Sequence, residues 1–362
     1  MGLQLAARPL EDLSRKAFAV NSHLRFNELQ KANMSQLHGI YIDHKMTTPF
    51  AMAQLSAKIK SLATDLARCG IILLATCVRV EAYGDAAALT DIESTIFSGL
   101  SYKRIEGPTA IARRLAEISS SAHSQILGES YVSHQLAKSI ELVDLKCPIS
   151  QVARFALDIG RAARERQGFV ASFDYNQIVR DIIASRFREG ERPDRLYVIG
   201  AGMLGRGLIR SGVGERFRGT IVVTRNPKAL RKRLRRYTDI EVALLRPEEI
   251  GQEREPRSIV VIATTEVDEK YEAILQNGLL RLEPRTIVDF SSVPALSSAA
   301  IKSLSYLNMY SEEFLQFIEH NNRQLAPKLP LLLSDIEATL RAVQIHLATT
   351  TTEPGQYTQR EG

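Results

Sequence analysis

Cysteine is scarce in this sequence, and its spacing forms no pairing motif. The 362 residues include only Cys69, Cys77 and Cys147, and no two of them stand in a Cys-x-x-Cys pattern. A sparse, odd-numbered set argues against a disulfide framework and against a zinc site, so we expect no bound metal. We expect instead a reducing, cytoplasmic setting, in which a single thiol is able to act as a catalyst.

Long apolar runs are missing as well. No stretch approaches the ~20 residues that a membrane-spanning helix needs, and the first residues, MGLQLAARPLEDLSRK, lack the apolar core of a signal peptide. We therefore expect no membrane partner. Hydrophobic residues make up 44% and charged residues 24% of the chain, which is the ordinary composition of a globular protein, and the length suggests about two or three domains.

The chain carries a modest excess of positive charge, +6 at neutral pH. Its cations are uneven: Arg154, Arg161, Arg164 and Arg166 crowd one helical stretch, and 225–236 is a second basic cluster. A basic surface favours polyanions, tRNA among them. Solvated helix faces explain the same clusters equally well.

Strand and helix patterns alternate in the second half of the chain. We predict strands for four apolar runs: 195–199, 220–224, 259–264 and 287–290. Helical periodicity lies between them, and this alternation predicts a parallel, doubly wound sheet in an α/β protein. In the remainder, we predict helices at 50–69, 108–118, 129–145, 148–167, 311–324 and 333–348, and a buried strand at 71–77 continued by alternating residues to Gly84.

A glycine-rich loop follows the strand at 195–199. Gly200, Gly202 and Gly205 form Gly-x-Gly-x-x-Gly, with Met203 inside the loop, and a helical pattern comes next. The first glycine permits the tight turn, the second lets the backbone approach a pyrophosphate, and the third lets helix and strand pack closely. This context predicts a Rossmann-type domain whose helix amino terminus binds the phosphates of a dinucleotide.

The end of the next strand distinguishes between cofactors. An acidic residue there holds the ribose of NAD, but this chain has Thr224, Arg225 and Asn226. A guanidinium suits a 2′-phosphate, so we predict NADPH, the alternative being that Arg225 is a solvated turn residue. Thr264 and Thr265 end a later strand and are candidates to line the nicotinamide, or are only small polar residues at a strand end.

The other informative segment runs from Ala75 to Tyr83. Cys77 ends an apolar run, with Arg79 two residues later. Nearby positive charge stabilises a thiolate, which is the nucleophilic form of cysteine. Taken alone, a cysteine on a strand is more often buried and inert.

That segment resembles the Ser/Thr-Cys-Asn-Arg-x-Glu-x-Tyr signature of glutamyl-tRNA reductases, the first committed enzymes of five-carbon tetrapyrrole synthesis. Further segments resemble motifs of this family in the same order: 13–17, 124–129, 200–205, 224–226 and 287–294. The resemblance implies that the Cys77 thiolate attacks the ester of an aminoacyl-tRNA, by default glutamyl-tRNA. The thioester is then reduced with NADPH to glutamate-1-semialdehyde.

The resemblance also implies roles for residues around Cys77. Arg79 is expected beside the thiol as a second catalytic residue, able to grip an acidic side chain, and Thr76 borders the thiol as well. Glu81 is expected to pair with the substrate ammonium. The remaining expected substrate-binding residues are Arg114, Ser124, Glu129 and Tyr131. We expect Cys77 to face the nucleotide-binding domain, with Arg79 and Ser124 nearby.

Departures from the family pattern concentrate at the expected substrate site. The residues that replace family residues are Val78 for Asn, Arg114 for His, His123 for Asp, Ser130-Tyr131 for Pro-Gln, and Arg15 for His. Because a pocket built to hydrogen-bond one side chain discriminates against others, a changed substrate or lost activity is a real alternative.

The carboxyl-terminal region departs from the family too. Pro327 and Pro330 are expected to break the long connecting helix, and the family's dimerisation domain is largely missing. We expect a monomer, or a dimer unlike the V-shaped one of the family, with fewer tRNA contacts. The predicted organisation is a catalytic α+β domain at 1–150, a helical connection at 151–192, a Rossmann NADPH domain at 193–308, truncated connecting helices at 309–348 and a disordered tail at 349–362.

Three functions remain open at this point. The first is reduction of an aminoacyl-tRNA, either glutamyl-tRNA or, in a divergent paralogue, another aminoacyl or thioester substrate. The second is a catalytically silent tRNA-binding or regulatory protein on the same scaffold. The third is a plain NADP dehydrogenase or a shikimate-dehydrogenase-like enzyme, which explains the glycine loop but leaves the segment around Cys77 without a role.

Overall fold

The computed structural model of the chain describes residues 36–76, 78–172, 175–188, 191, 193–211, 213–234, 241–264, 268–291, 294–296 and 303–350. The described residues form two compact units. The first comprises residues up to Thr48, Lys58–Val170 and the chain from Leu325 onward, and the second comprises Pro49–Ala57 and Ala171–Gln324.

Ten strands and twelve α-helices lie within the described residues. In chain order to residue 186 they are β1 (Leu37–Asp43), α1 (Pro49–Lys60), α2 (Ala63–Arg68), β2 (Ile72–Ala75), β3 (Arg79–Asp85), α3 (Ala86–Thr95), β4 (Lys103–Glu106), α4 (Pro108–Ser119), α5 (Tyr131–Glu141), α6 (Pro148–Arg166) and α7 (Tyr175–Arg186). The remainder are β5 (Arg195–Ile199), α8 (Met203–Arg210), β6 (Gly219–Val223), α9 (Pro227–Leu234), β7 (Ala243–Leu245), β8 (Ile259–Ile262), α10 (Glu269–Leu282), β9 (Thr286–Asp289), β10 (Tyr306–Asn308), α11 (Glu312–Leu325) and α12 (Leu329–Thr350).

The first unit contains an antiparallel sheet of four strands in the order β2-β3-β1-β4. In the register of β1 and β3, Tyr41 lies opposite Glu81 and Asp43 lies opposite Arg79. β2 and β3 lie where the sequence predicts a strand and its alternating continuation. β1 and β4 were not predicted, and β1 is the strand that completes the charged end of this sheet.

Helices α4, α5, α6 and α12 share one apolar core in the first unit. Ile111 and Leu115 of α4, Val152 of α6, and Leu332 and Ile336 of α12 are buried together in it. No helix in the described ranges is both long enough and apolar enough to cross a membrane. The helix predicted at 148–167 is present as α6, and its apolar face is part of this core.

A close helix crossing fixes α4 against α6. A Cβ atom added at Gly160 would lie 1.9 Å from the Ser119 hydroxyl oxygen and 2.1 Å from the Ala116 carbonyl oxygen. The Ser119 hydroxyl in turn donates to the Ala116 carbonyl at 3.0 Å. Only glycine permits this approach, since the carbonyl belongs to the backbone of α4 and cannot rotate away.

We expect Gly160→Ala to destabilise the protein by about 1–3 kcal/mol, because the two helices must separate to admit the methyl group. Urea unfolding followed by circular dichroism measures this change. Gly219→Ala is the matched control: nothing lies within 4 Å of a Cβ added there, and its unfolding free energy should stay within about 0.5 kcal/mol of the parent. Equal stability of the two variants would contradict the tight crossing.

The carboxyl-terminal helices are interrupted at Pro327, as expected, but are not interrupted at Pro330. A single 3-10 turn, Ala326–Lys328, separates α11 from α12. Pro330 lies in the first turn of α12, where the missing N–H has no helical partner to lose, so the helix begins at Leu329 instead of 333. The two predicted connecting helices belong to different units, and the tail beyond residue 350 lies outside the described residues.

Some predicted boundaries also shift. The helix predicted at 50–69 is two helices, because the Leu62 N–H bonds to the Ile59 carbonyl at 2.9 Å and tightens the chain into a turn there. The helix predicted at 129–145 begins at Tyr131 and ends at Glu141.

The second unit contains a parallel sheet of six strands in the order β10-β9-β8-β5-β6-β7. Counted from β5 as the first strand, this order is 3-2-1-4-5-6, the arrangement of Rossmann-type dinucleotide-binding folds. The prediction of a parallel, doubly wound sheet in an α/β protein is confirmed. The three-residue edge strands β7 and β10 were not predicted, since they are too short to show a period.

Candidate functional site

The predicted site residues fall into two groups, one in each unit. Thr76, Arg79, Glu81, Arg114, Ser124, Glu129 and Tyr131 belong to the first unit, and the glycine loop with its neighbours belongs to the second. Cys77, Thr265, the side chain of Met203 and the predicted motif at 13–17 lie outside the described residues. The nearness of Cys77 to Arg79 and Ser124 in space therefore stays a prediction.

Residues 76–78 join β2 to β3, and the described residues on either side are tightly bonded. The Thr76 N–H donates to the Arg79 carbonyl at 2.8 Å, and the Thr76 hydroxyl oxygen accepts the Val78 N–H at 3.2 Å. The Val78 carbonyl accepts the N–H of His44, the residue after β1, at 2.8 Å. Thr76 is buried, and its hydroxyl oxygen holds the Val78 N–H in place.

A buried charge cluster lies beside this connection, centred on Glu81 of β3. Its carboxylate accepts from the Arg114 guanidinium at 2.8 Å and 3.3 Å and from the Tyr83 hydroxyl. Arg79 lies 3.5 Å from the same carboxylate, and Arg114 also reaches Asp43 at 3.3 Å. Glu81, Arg79 and Tyr83 have no exposed surface.

The cluster is neutral overall because two guanidiniums face two carboxylates. Burial would raise the pKa of Glu81, but Arg114 and Arg79 outweigh it and hold that pKa below its ordinary value. Burial likewise acts against the charge of Arg114, but the Glu81 carboxylate raises the pKa of Arg114 above its ordinary value. The Arg114 guanidinium also lies 4.0 Å from the centre of the Tyr41 ring. The contacts described here lie within the protein, and the predicted contacts of Glu81 and Arg114 with a substrate stay predictions.

Arg79 ties the cluster to the turn that follows α4. Its Nη2 donates to the His123 carbonyl at 2.5 Å, so Arg79 contacts the residue next to Ser124. Its Nε is buried and has no hydrogen-bond partner among the described residues. A buried, unsatisfied N–H is costly, so Nε is a donor of Arg79 that suits a further acceptor.

Ser124, Glu129 and Tyr131 form a helix-capping arrangement. The Ser124 hydroxyl donates to the Glu129 carboxylate at 3.1 Å. The same carboxylate accepts the N–H groups of Tyr131 and of Val132, the latter at 3.1 Å, and so satisfies the amino terminus of α5. Burial raises the pKa of Glu129 despite these hydrogen bonds. The observed role of this trio is to hold the turn, and substrate binding by it stays a prediction.

Sequence reasoning missed Asp43, His44 and Tyr41, because β1 was not recognised. The stretch LHGIYID has the β-branched and aromatic content of a strand and was the available signal. Burial lowers the pKa of His44, although the neighbouring Asp43 opposes this, and its buried Nδ1 has no hydrogen-bond partner among the described residues. His123 pairs with Glu117 at 2.7 Å.

In the second unit, the packing of the protein requires two of the three loop glycines and leaves the third open. Gly200 has φ +101°, and a Cβ there would lie 2.7 Å from the Ala263 carbonyl oxygen. A Cβ at Gly205 would lie 2.1 Å from the Gly200 carbonyl oxygen, so this glycine sets the packing of α8 on β5. A Cβ at Gly202 would lie 3.7 Å from the Ala263 carbonyl oxygen, an ordinary distance. The protein itself therefore leaves room at Gly202, as a site for a closely approaching phosphate requires.

The end of β6 carries no acidic side chain. The Thr224 hydroxyl oxygen accepts the Asn226 N–H at 3.3 Å, and the Asn226 side chain accepts the Ala229 N–H at 3.0 Å, which caps α9. Arg225 is exposed between them, with its guanidinium 5.5 Å from the centre of the Tyr271 ring. A cation at this edge, without a carboxylate, suits a 2′-phosphate.

The ends of β8 and β9 lie beside the glycine loop. The Thr264 Cβ is 3.1 Å from the position of a Cβ at Gly200, and the Thr264 carbonyl accepts from the Ser291 hydroxyl at 2.8 Å. Buried Asp289 accepts the N–H groups of Ser291 and Ala295, each at 2.7 Å, and also the Tyr306 hydroxyl. Burial raises the pKa of Asp289. Sequence reasoning did not assign Asp289 to the site, and it orders the chain that follows β9.

The strand order and the glycine loop define the second unit as a Rossmann-type, dehydrogenase-like dinucleotide-binding fold, joined in one chain to an α+β unit with a buried charge cluster. The chain is 57% identical over 309 residues to protein nfe2 of Rhizobium meliloti, which covers 85% of this chain and 99% of that protein. The chain belongs to the family of protein nfe2. No family model matches it.

Two solved structures are similar to parts of the chain. Glutamyl-tRNA reductase from Methanopyrus kandleri has 18% sequence identity and a TM-score of 0.44, with 88% of this chain and 82% of that chain covered. A chorismate mutase/shikimate 5-dehydrogenase fusion protein from Clostridium acetobutylicum has 16% identity and a TM-score of 0.28, with 50% and 64% covered. Both TM-scores lie below 0.5, and neither likeness bears on the reaction.

Proposed function

We propose that this protein is a cytoplasmic, NADPH-dependent reductase of an aminoacyl-tRNA, with glutamyl-tRNA as the first substrate to test and Cys77 as the nucleophile. The observation that supports NADPH binding is the glycine loop, where the protein's own packing requires Gly200 and Gly205 and leaves space at Gly202. The proposed role of the thiol rests on the sequence of the segment around Cys77. It rests also on the buried Nε of Arg79, which has no hydrogen-bond partner among the described residues.

In this proposal, the amino terminus of α8 and the Gly200–Gly205 loop hold the pyrophosphate of NADPH. Arg225 holds the 2′-phosphate, and Thr264 borders the nicotinamide side, since its Cβ lies against Gly200. Bound there, NADPH supplies a hydride.

The residues of the first unit handle the acyl group. The Cys77 thiolate forms a bond to the ester carbonyl carbon, the carbon–oxygen bond to the tRNA ribose breaks, and tRNA leaves with a proton on its hydroxyl. Reduction of the thioester by two electrons breaks the carbon–sulfur bond, so that an amino aldehyde leaves and the thiolate is regenerated. The Arg79 Nε–H, which has no partner among the described residues, is available to donate to an oxygen of the acyl substrate, while Glu81 and the His123 carbonyl hold Arg79 in place.

An assay with the purified protein tests this function. Glutamyl-tRNA labelled in glutamate is mixed with NADPH, absorbance at the nicotinamide band is followed, and the aldehyde is trapped with a hydrazine and identified by mass spectrometry. We expect one NADPH consumed per trapped aldehyde, and none with free glutamate plus uncharged tRNA. Binding of NADPH without consumption of any charged tRNA or acyl thioester would favour a silent or regulatory protein instead.

A second candidate is reduction of a different acyl group by the same chemistry. Arg114 favours it, because a guanidinium locked to Glu81 and Asp43 stands where the resemblance expects an imidazole. The same assay with other charged tRNAs and with acyl thioesters separates the two candidates. Turnover of one of these in preference to glutamyl-tRNA would select the second.

The open position at Gly202 gives a separable prediction. We expect Gly202→Ala to fold with parental stability but to weaken NADPH binding at least ~10-fold, or about 1.4 kcal/mol, because its methyl group occupies the space for the pyrophosphate. Isothermal titration with NADPH measures the affinity. Gly205→Ala is expected to reduce stability itself, given the 2.1 Å approach to the Gly200 carbonyl oxygen. Unchanged NADPH affinity in a well-folded Gly202→Ala variant would contradict the assigned loop.

A further inference from the structure

Helix α9 presents an exposed group of cations. Lys228, Arg231, Lys232 and Arg233, which we call the α9 basic surface, are all exposed, while Leu230 and Leu234 are buried and anchor the helix. No acidic residue lies in the helix. Within the described part of the chain, none of these four side chains forms an ion pair or hydrogen bond.

This arrangement differs from that of other exposed arginines in the protein. Arg68, Arg254, Arg323 and Arg341 are also exposed, and each pairs with a carboxylate: Asp65 at 3.0 Å, Glu283, Glu319 at 2.7 Å and Glu337 at 2.9 Å, respectively. These four exposed arginines therefore have carboxylate partners, whereas the four cations of α9 have none among the described residues.

The second basic stretch of the sequence, on α6, contrasts with α9. Arg161 donates to the Ser133 hydroxyl at 3.0 Å, Arg164 to the Gly128 carbonyl at 2.6 Å, and Arg166 pairs with Asp335 at 2.8 Å. These arginines serve the packing of the first unit. Within the described residues, the three arginines of α6 each have a partner inside the protein, whereas the four cations of α9 have none.

Unrelieved like charges act against the helix that carries them. Lys228 is three residues from Arg231 and four from Lys232, and like charges at these spacings destabilise a helix. An anionic ligand removes that repulsion. In the proposed function, Arg225 already binds the 2′-phosphate of NADPH. The four further cations of α9 therefore suit a longer polyanion.

We propose that the α9 basic surface binds the phosphate backbone of tRNA. Here α9 begins directly after Thr224–Asn226, at the carboxyl edge of the parallel sheet where the glycine loop also lies, and this edge is where such folds bind their ligands. The contact is with phosphates and is independent of nucleotide sequence. This inference rests on the proposed function for its choice of polyanion, but it concerns binding and needs no chemistry at Cys77.

The test measures binding of an uncharged, fluorescently labelled tRNA transcript by anisotropy. The variant carries Lys228→Gln, Arg231→Gln, Lys232→Gln and Arg233→Gln. The matched control carries Arg68→Gln, Arg254→Gln, Arg323→Gln and Arg341→Gln, which removes the same number of charges from paired, exposed arginines. Circular dichroism confirms folding of both, and substitution of only Lys228 and Lys232 by Gln provides a milder variant if the first fails to fold.

We expect the α9 variant to lose at least ~10-fold in tRNA affinity, and the slope of log affinity against log salt to become shallower by about 2–4. The control should change affinity by less than about threefold. Equal losses in the two variants, or a loss confined to NADPH binding, would overturn the proposed surface. If the parent protein binds no tRNA at all, both this inference and the aminoacyl-tRNA function fail, whereas strong binding with no effect of α9 rejects the inference alone.

Discussion

Replacing Cys77 by serine should reduce substrate-dependent NADPH oxidation by at least ~10³-fold. A serine hydroxyl is not ionised at neutral pH, so it is a far weaker nucleophile than a thiolate. An oxygen ester formed on serine would also be no easier to reduce than the ester of the substrate. Both halves of the proposed reaction therefore depend on sulfur, and the loss should appear in single-turnover assays as well as in steady-state rates.

The other two cysteines supply controls for this prediction. Cys69 is exposed and Cys147 is partly exposed, and both are free thiols. Cys69→Ser and Cys147→Ser should retain the parental rate within about twofold. Titration of NADPH into the Cys77→Ser variant should give the parental affinity, because the glycine loop belongs to the other unit. Turnover that is indifferent to Cys77→Ser would leave a plain dehydrogenase as the better description.

The second large effect is on stability. We expect Arg114→Met to lower the free energy of unfolding by about 3–5 kcal/mol at pH 7, because it leaves the fully buried Glu81 carboxylate without its closest cation. Arg79, at 3.5 Å, is a weaker partner for that carboxylate. Urea unfolding followed by circular dichroism measures the change.

Arg113→Met is the matched control on the neighbouring position of α4. Arg113 pairs with Glu337 at 2.7 Å, but with side chains that are 45% and 27% exposed. Such a pair contributes less than about 1 kcal/mol. If both variants lost equal stability, the buried charge cluster would contribute no more to the free energy of unfolding than an exposed ion pair does.

The pH dependence of the Arg114→Met deficit has a definite sign. In the parent protein, the pKa of folded Glu81 is lowered, so Glu81 adds stability above its unfolded pKa and this is lost as the pH falls through the folded value. In the variant, burial acts without the main cation and raises the folded pKa of Glu81. The difference between parent and variant should therefore grow as pH rises from about 4.5 towards 7, and a deficit that stayed constant over that range would argue against this account.

The sequence specified the second unit more fully than the first. Apolar runs such as 195–199 and 259–262 are recognisable as strands in the sequence, because parallel strands are buried on both faces. The spacing of Gly200, Gly202 and Gly205 is likewise a local requirement of backbone geometry. The short edge strands β7 and β10 lack any such period, since three residues give too little pattern.

The first unit was harder to predict for a physical reason. Its helices α4, α5 and α6 are amphipathic, and periodicity indicates that each buries one face without saying against what. Thus α6 was assigned to a connection, although Gly160 packs it on α4. The roles predicted for Glu81, Arg114 and Glu129 were implied by the family resemblance, whereas their partners within the protein come from β1, β3, α4 and the start of α5.

The sequence by itself determined the parallel nucleotide-binding sheet and its glycine loop, because strand burial, tight turns and close backbone approach are properties of short segments. Only the tertiary structure decided which charges neutralise one another and which stay open. Arg114 forms ion pairs with both Glu81 and Asp43, because the pairing of antiparallel β1 and β3 places these two carboxylates near each other. The cations of α9 have no such partner among the described residues, because the anchoring of Leu230 and Leu234 leaves them on the exposed side of the helix.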